Sequence, residues 1–352
     1  MRFIWVALFS LVVAFGLTPR LVEAADPQPA KAKSSAKAQP KSASARSSKR
    51  KVSGQPRFTS SGKSGKGAGA PSGAARVSVG QMIGLHDVED PLSLRSSVAL
   101  VVDQNSGSTV FEKNAQAVLP IASITKIMTA MVVLDAEQPL DEVLQITKEE
   151  IDTEKNTRSR LSVGARLSRA QLLHLALMAS ENRAAHALGR NFPGGIPGFI
   201  AAMNAKAHAL GMYNTHFTDP TGLSSQNVSN AVDLARMVEA ASDYPLIRIY
   251  STAPELTVRS RRRVVGYHNT NRLLANPSWE ISLQKTGYIS EAGSCLVMRM
   301  QIDGRPMVLV LLDARGTLSR FGDAKRLRDW LEGPGRIAPL RTTDVSYPSL
   351  GS

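Results

Sequence analysis

Cysteine is almost absent: Cys295 stands alone in 352 residues, which excludes an intramolecular disulfide and any cysteine-cluster metal site. The lone thiol is expected to fill a small place in a core. Acidic residues are missing from one stretch in particular, since residues 26–76 set twelve Lys and Arg against a single acid, Asp26, and carry +11. Residues 1–25 add +1 through Arg2, Arg20 and Glu23, so of the formal +14 only +2 remains for the other 276 residues. A fold that grips nucleic acid carries its basic residues on the fold itself, and a nearly neutral folded part argues against that class; no nucleic acid partner is expected. Long apolar runs are missing too, apart from one at the start, after which no stretch reaches the length of a membrane span.

That one run, residues 3–17, is broken only by Ser10 and Gly16 and is followed by Thr-Pro-Arg and then Val-Glu-Ala-Ala at 22–25. It is short for a span and ends in small residues, the pattern of a secretory signal peptide, residues 1–25, cut after Ala24 or Ala25. An uncleaved anchor is the alternative, and either one puts the rest of the chain outside the cytoplasm, in the periplasm, with or without peripheral attachment to the membrane. Residues 26–79 are mostly Ala, Ser, Lys, Gly and Pro with one aromatic, Phe58. Such a segment buries too little apolar surface to offset the entropy of ordering it, so disorder is expected. Its charge suits attachment to an anionic envelope surface, lipid headgroup or acidic polymer, and equally a solvated spacer. Residues 80–340 then form the domain, and 341–352 a short flexible tail.

Within the domain, β-rich runs at 98–103 and 108–112 flank an Asn-Ser-Gly turn at 105–107 and read as a hairpin. Three more such runs lie at 281–288, 294–302 and 306–312, the last two joined by Asp303-Gly304. Helical patterns fill the space between, at 124–135, 169–178, 183–188, 199–210 and 230–242, and a last amphipathic stretch covers 324–331. A five-stranded antiparallel sheet built from both chain ends, plus an all-helical lobe between them, is an α+β arrangement.

Ser-Ile-Thr-Lys at 123–126 opens the first of those helices. At i and i+3 of a helix, Ser123 and Lys126 project from one face, close enough for an amine to take the hydroxyl proton, and the positive helix N-terminus favours negative charge developing on the serine. The pattern alone is weak, because Ser-x-x-Lys recurs at Ser34/Lys37, Ser48/Lys51, Ser60/Lys63 and Ser282/Lys285. Two further signals give it context: Ser-Glu-Asn at 180–182 falls between two helical stretches, and Lys-Thr-Gly at 285–287 falls in a β-rich run. Each has a decoy as well, Ser225/Asn227 and Lys63/Gly65 respectively. Order decides: Ser-x-x-Lys, Ser-x-Asn and Lys-Thr-Gly follow one another at separations of 57 and 105 residues, on a helix start, an interhelical loop and a strand.

That ordered triple is the signature of penicillin-binding proteins and class A β-lactamases. Together with the runs at 119–126, 216–223, 233–236, 268–274 and 285–288, it makes residues 80–335 resemble the D-alanyl-D-alanine carboxypeptidase and endopeptidase family of low-mass penicillin-binding proteins. The Ser-Glu-Asn form, the stretch 267–274 and the lack of room for an added C-terminal β-domain look most like the endopeptidase branch. The resemblance implies the two-lobed penicillin-binding fold and peptidoglycan stem peptides as substrate, with β-lactam antibiotics as covalent inhibitors. It implies Ser123 as acylated nucleophile and Lys126 as its base, kept neutral by burial and by a nearby cation such as Lys285. Ser180 then relays a proton to the leaving amine, Asn182 holds the substrate amide, Lys285 faces the tetrahedral intermediate, Thr286 binds the carboxylate beside the scissile bond, and Gly287 gives the peptide room. Backbone N–H groups of Ser123 and Tyr288 form the oxyanion hole. For a carboxylate-binding arginine the candidate is Arg320, with an ordinary surface residue as the alternative. No cofactor and no metal is required.

Rival readings are a D-alanyl-D-alanine carboxypeptidase that trims pentapeptide stems, a class A β-lactamase, a zinc peptidase and a β-lactam sensor without turnover. A β-lactamase needs a glutamate to hold the deacylating water, and no Glu-x-x-Leu-Asn run lies between Asn182 and Lys285. His208, His216 and Asp219 match no zinc-ligand spacing.

Overall fold

The computed structural model describes residues 77–261, 263–333 and 340–341. The signal peptide, almost all of the basic segment and nearly all of the tail expected from the sequence lie outside the described residues.

Helix α1 (Val79–Met82) opens with a capping box between Ser78 and Gln81. Strands β1 (Ser96–Asp103) and β2 (Thr109–Lys113) follow as a hairpin. The two-residue strand β3 (Leu119–Pro120) enters a 3-10 turn (Ala122–Ile124) that runs directly into α2 (Thr125–Asp135). Beyond the small ribbon of β4 (Val143–Gln145) and β5 (Arg166–Ser168) come α3 (Arg169–Met178), α4 (Asn182–Arg190) and α5 (Gly195–Ala209). Strand β6 (Val228–Ser229) pairs back on β3, and α6 (Ala231–Ala241) and α7 (Pro245–Thr252) complete the lobe. A second ribbon, β7 (Glu255–Ser260) with β8 (Arg263–His268), precedes β9 (Ile281–Ile289), β10 (Gly293–Ile302), β11 (Arg305–Ala314), α8 (Ser319–Glu332) and β12 (Leu340–Arg341).

The main sheet runs β12-β2-β1-β11-β10-β9, so the first hairpin and the last meander meet at β1 and β11, where Val98 faces Leu312 and Val102 faces Val308. Five of its strands are antiparallel, as the sequence predicts; β12 adds two residues parallel to β2. Period two sorts β1 between two cores. Val98 and Leu100 join α2, α3 and α6 on one face, while Ala99 and Val101 join Phe321, Ala324, Leu327 and Leu331 of α8 on the other. Both faces are therefore dry, and β9 is left at the sheet edge beside the 3-10 turn that carries Ser123. Cys295 is buried in β10 as a core residue.

One buried knot ties the start of the described chain to β11. Asp313 Oδ2 accepts from Ser97 Oγ at 2.8 Å and lies 3.0 Å from His86 Nε2. Serine and histidine meet the same carboxylate rather than each other, so this Ser-His-Asp trio has no base aimed at a nucleophile. Its work is structural: a Cβ on Gly80 or Gly293 would fall 2.1 or 2.3 Å from an Asp313 carboxylate oxygen.

Candidate active site

Ser123 sits in the 3-10 turn, and the residue before it, Ala122, is held at φ +47°. An alanine in that region costs about 1–3 kcal/mol and persists only when its surroundings fix it. The fixing element is the loop at 218–224. Asp219 accepts from the backbone of Thr221, Gly222 and Ser224 and from the Thr221 hydroxyl, which folds the loop tightly. Asn227, fully buried, ties the loop to Thr125 Oγ1 at 3.1 Å, and Thr129 Oγ1 donates to Pro220 O at 2.7 Å. Gly222, at φ +78°, lies against the nucleophile turn so closely that a Cβ would be 2.0 Å from Ala122 O.

Lys126 points into this enclosure with no solvent exposure. Its Nζ lies 2.8 Å from Ser123 Oγ, 2.7 Å from Asn182 Oδ1 and 2.6 Å from Thr221 O. Two of these partners can only accept, so a neutral amine spends its two N–H bonds on Asn182 and Thr221 and turns its lone pair to the Ser123 hydroxyl. Burial lowers the lysine to about 7, against the opposing pull of Asp219 and Glu181. The repulsion between Lys126 and Lys285 expected from the sequence is present and falls on Lys285; for Lys126 itself burial is the largest cause, and it wins over the two carboxylates.

Asn182 is clamped from behind as well. Its Nδ2 donates to Thr157 Oγ1 at 3.2 Å, and Thr157 donates its hydroxyl to Asp152 Oδ2 at 2.7 Å. That order fixes the amide with Oδ1 toward Lys126. Glu181 caps α4, accepts from Ser159 Oγ at 2.6 Å and is pushed up by its burial.

A second hydrogen-bonded group faces the first. Lys285 Nζ, fully buried on β9, lies 2.9 Å from Ser180 Oγ and donates to Thr286 O at 2.7 Å. Burial, then the charges of Lys126 and Arg320, hold Lys285 well below the usual lysine range. Ser180 has φ +58°, which turns the chain between α3 and α4 toward β9. Thr286 shares a hydroxyl bond of 2.6 Å with Thr270. At Gly287 a Cβ would be 3.2 Å from Ser123 N, so β9 passes right beside the Ser123 backbone, and the side chain of the next residue, Tyr288, is exposed. Arg320 is 8% exposed with Nη1 3.5 Å from Gly287 O; the surface-residue alternative is wrong.

The structure thus brings Ser123, Lys126, Ser180, Asn182, Lys285, Thr286, Gly287 and Arg320 around one place. Of the decoys, those among the described residues go elsewhere: Asn227 is a loop strut, and Ser282 Oγ turns to Arg299 O on β10. Asp219 spends its oxygens on its own loop. Sequence reasoning missed Thr221, which acts through a main-chain carbonyl, and Asp152, Thr157 and Thr270, whose signal is only their neighbourhood in space.

Residues 86–316 match the family described as D-alanyl-D-alanine carboxypeptidase. A D-alanyl-D-alanine endopeptidase of Pseudomonas aeruginosa is 54% identical over 256 residues, covering 72% of this chain and 82% of the relative. Among solved structures, the DD-transpeptidase of Streptomyces K15 aligns with a TM-score of 0.64 at 26% identity, over 69% of this chain and 99% of the other. Penicillin-binding protein D2 of Listeria monocytogenes, solved in its cefotaxime-bound form, aligns at 0.59 and 29% identity, over 69% and 99%.

Proposed function

The chain belongs to the D-alanyl-D-alanine carboxypeptidase family of serine peptidases, and on that premise we propose that it is the endopeptidase that cuts peptidoglycan peptide cross-links through an acyl-enzyme on Ser123. The observation that carries the acylation chemistry is the 2.8 Å approach of Lys126 Nζ to Ser123 Oγ, and what supports the endopeptidase is the 54% identical relative. Lys126 takes the hydroxyl proton as the serine oxygen bonds to the D-alanine carbonyl carbon. The oxyanion meets the N–H groups of Ser123 and Tyr288, with Lys285 supplying positive charge. Ser180, bonded to Lys285, relays to the nitrogen the proton that Lys126 took from Ser123, as the C–N bond breaks. Water then attacks the ester, returning the proton to Ser123 and freeing the acid. Thr286 and Arg320 hold the carboxylate beside the scissile bond, and Asn182 the amide on the acyl side. β-Lactams acylate the same serine.

The test incubates the protein with cross-linked muropeptide dimers and with an uncross-linked pentapeptide. Dimer converted to monomers is the expected product; loss of one alanine from the pentapeptide alone makes the enzyme a carboxypeptidase. Ser123→Ala abolishes both turnover and covalent labelling by penicillin, and labelling that persists in it moves the nucleophile elsewhere.

The place of work is the periplasm, supported by the signal-peptide pattern of residues 1–25. Residues 26–76, with +11, attach the enzyme to an anionic envelope surface, supported by that charge alone. Deleting them weakens sedimentation with anionic vesicles at low salt and leaves turnover of a soluble peptide intact; equal sedimentation of both forms reduces the segment to a spacer.

A further inference from the structure

Two arginines, Arg320 and Arg272, stand beyond the Lys285 end of the site with no carboxylate to meet them among the described residues. Arg320 is almost wholly buried, yet its Nε has no hydrogen-bond partner among the described residues. Its guanidinium carbon lies 4.9 Å from the centre of the Phe321 ring, and that of Arg272 lies 5.9 Å from the same ring. The acids of the neighbouring helix are taken: Asp323 pairs with Arg326, Asp329 with Lys325 and Glu332 with Arg328. Burial first, and the charge of Arg272 as well, work against the proton on Arg320, so the two cations are within electrostatic reach of each other. Two like charges flanking one ring with a buried donor unspent form a place that an anion completes.

The local chain makes Arg272 a fixture. Asn271, 2% exposed, caps the 3-10 turn Arg272–Ala275 through Leu273 N at 3.0 Å. Thr270, one residue earlier, is the partner of Thr286 in the site wall. Arg272 itself is exposed and lines a groove of about 670 Å³ with Trp279, Phe321 and the ion pairs Lys325–Asp329 and Arg328–Glu332, in which it is the unpaired cation among the described residues. That volume falls within the range of about 300–1,000 Å³ typical of ligand sites.

We infer that this groove is the subsite for the leaving stem peptide of a cross-link, with Arg272 binding the terminal carboxylate of that peptide. The inference rests on the endopeptidase reading. A pentapeptide releases free D-alanine, which ends at the carboxylate that Arg320 meets, whereas a cross-link releases a whole stem peptide with a further carboxylate at its own end. Only the second leaving group reaches Arg272, so this residue separates the two substrates that the catalytic groups treat alike.

The test measures kcat/KM of the wild type and Arg272→Gln on three substrates: a muropeptide dimer, the same dimer amidated at the end of its leaving stem, and a pentapeptide. For a partly exposed charge pair the loss is about three- to ten-fold. The wild type shows that loss on amidation; Arg272→Gln shows it on the free dimer and loses nothing more on the amidated one, so the ratio of dimer to pentapeptide turnover drops by the same factor. Additive losses, or a ratio that does not move, overturn the subsite while leaving the endopeptidase standing. A wild type that turns over pentapeptide and no dimer overturns the endopeptidase reading and the subsite with it. Penicillin labelling of both proteins checks the fold.

Discussion

Lys126→Met is expected to slow penicillin acylation by about 10²–10⁴-fold, the usual worth of a positioned base, while its stability relative to the wild type falls as pH rises from 7 to 10. The wild-type lysine falls from 10.5 to about 7 on folding because the charged form is driven out of a dry enclosure. Between those two values the unfolded chain binds a proton that the native state does not, so stability rises with pH across that window. The cost of burying the group is fully present below pH 7 and is gone above 10.5. At about 1.4 kcal/mol for each step of pKa it amounts to about 5 kcal/mol, an upper figure. Methionine removes that cost but strands Asn182 Oδ1 and Thr221 O, at about 1–3 kcal/mol each. The variant therefore compares best with the wild type at pH 6–7 and worst toward pH 10. Denaturant titrations of both proteins at the two pH values check this, and a constant difference sinks it. Wild-type acylation should rise through pH 7 and level off above it, following the neutral amine.

Gly222→Ala is expected to cost at least about 100-fold in acylation without touching any catalytic side chain. The added Cβ lands 2.0 Å from Ala122 O and 2.9 Å from Ser123 N, and these atoms are backbone, so the turn must move by most of an ångström. A shift of about 1 Å at a reacting group is worth about 100-fold. Gly304→Ala is the control: it also has positive φ, +68°, but nothing within 4 Å, so it carries only the left-handed penalty of about 1–2 kcal/mol. Equal acylation rates in the two variants would show that the loop does not set the nucleophile.

The α+β arrangement was legible because each signal is local. The Asp303-Gly304 turn, the β-rich runs of β10 and β11 and the helical spacing of Leu172, Leu175 and Ala176 need no knowledge of the rest of the chain. Other elements were not. Strands β7 and β8 carry Arg259, Arg261 and Arg263 around their turn and bury few positions, so they look like a solvated charge run. Helix α2 begins one residue later than its pattern suggests, because Ser123 belongs to the tighter turn before it. In the site, Ser-x-x-Lys could be told from its copies only by the two later motifs. On β9 the same spacing sends Ser282 to Arg299 and Lys285 to Ser180, because residues three apart on a strand face opposite sides. Thr221 lay inside the run 216–223, but nothing there marked its carbonyl, since any residue has one. Arg320 needed the fold, which alone brings it across 33 residues to Gly287.

The knot at Asp313 bears on timing. It joins His86 and Ser97 to a residue more than 200 positions later, and the edge strand beside Ser123 comes from the same final third of the chain. Closing loops of that length is slow and comes late in folding. A chain still emerging from synthesis holds Ser123 and Lys126 but has no Lys285, no β9 and no sheet to hold them. The site is thereby incomplete until its last strands arrive, a delay written in topology.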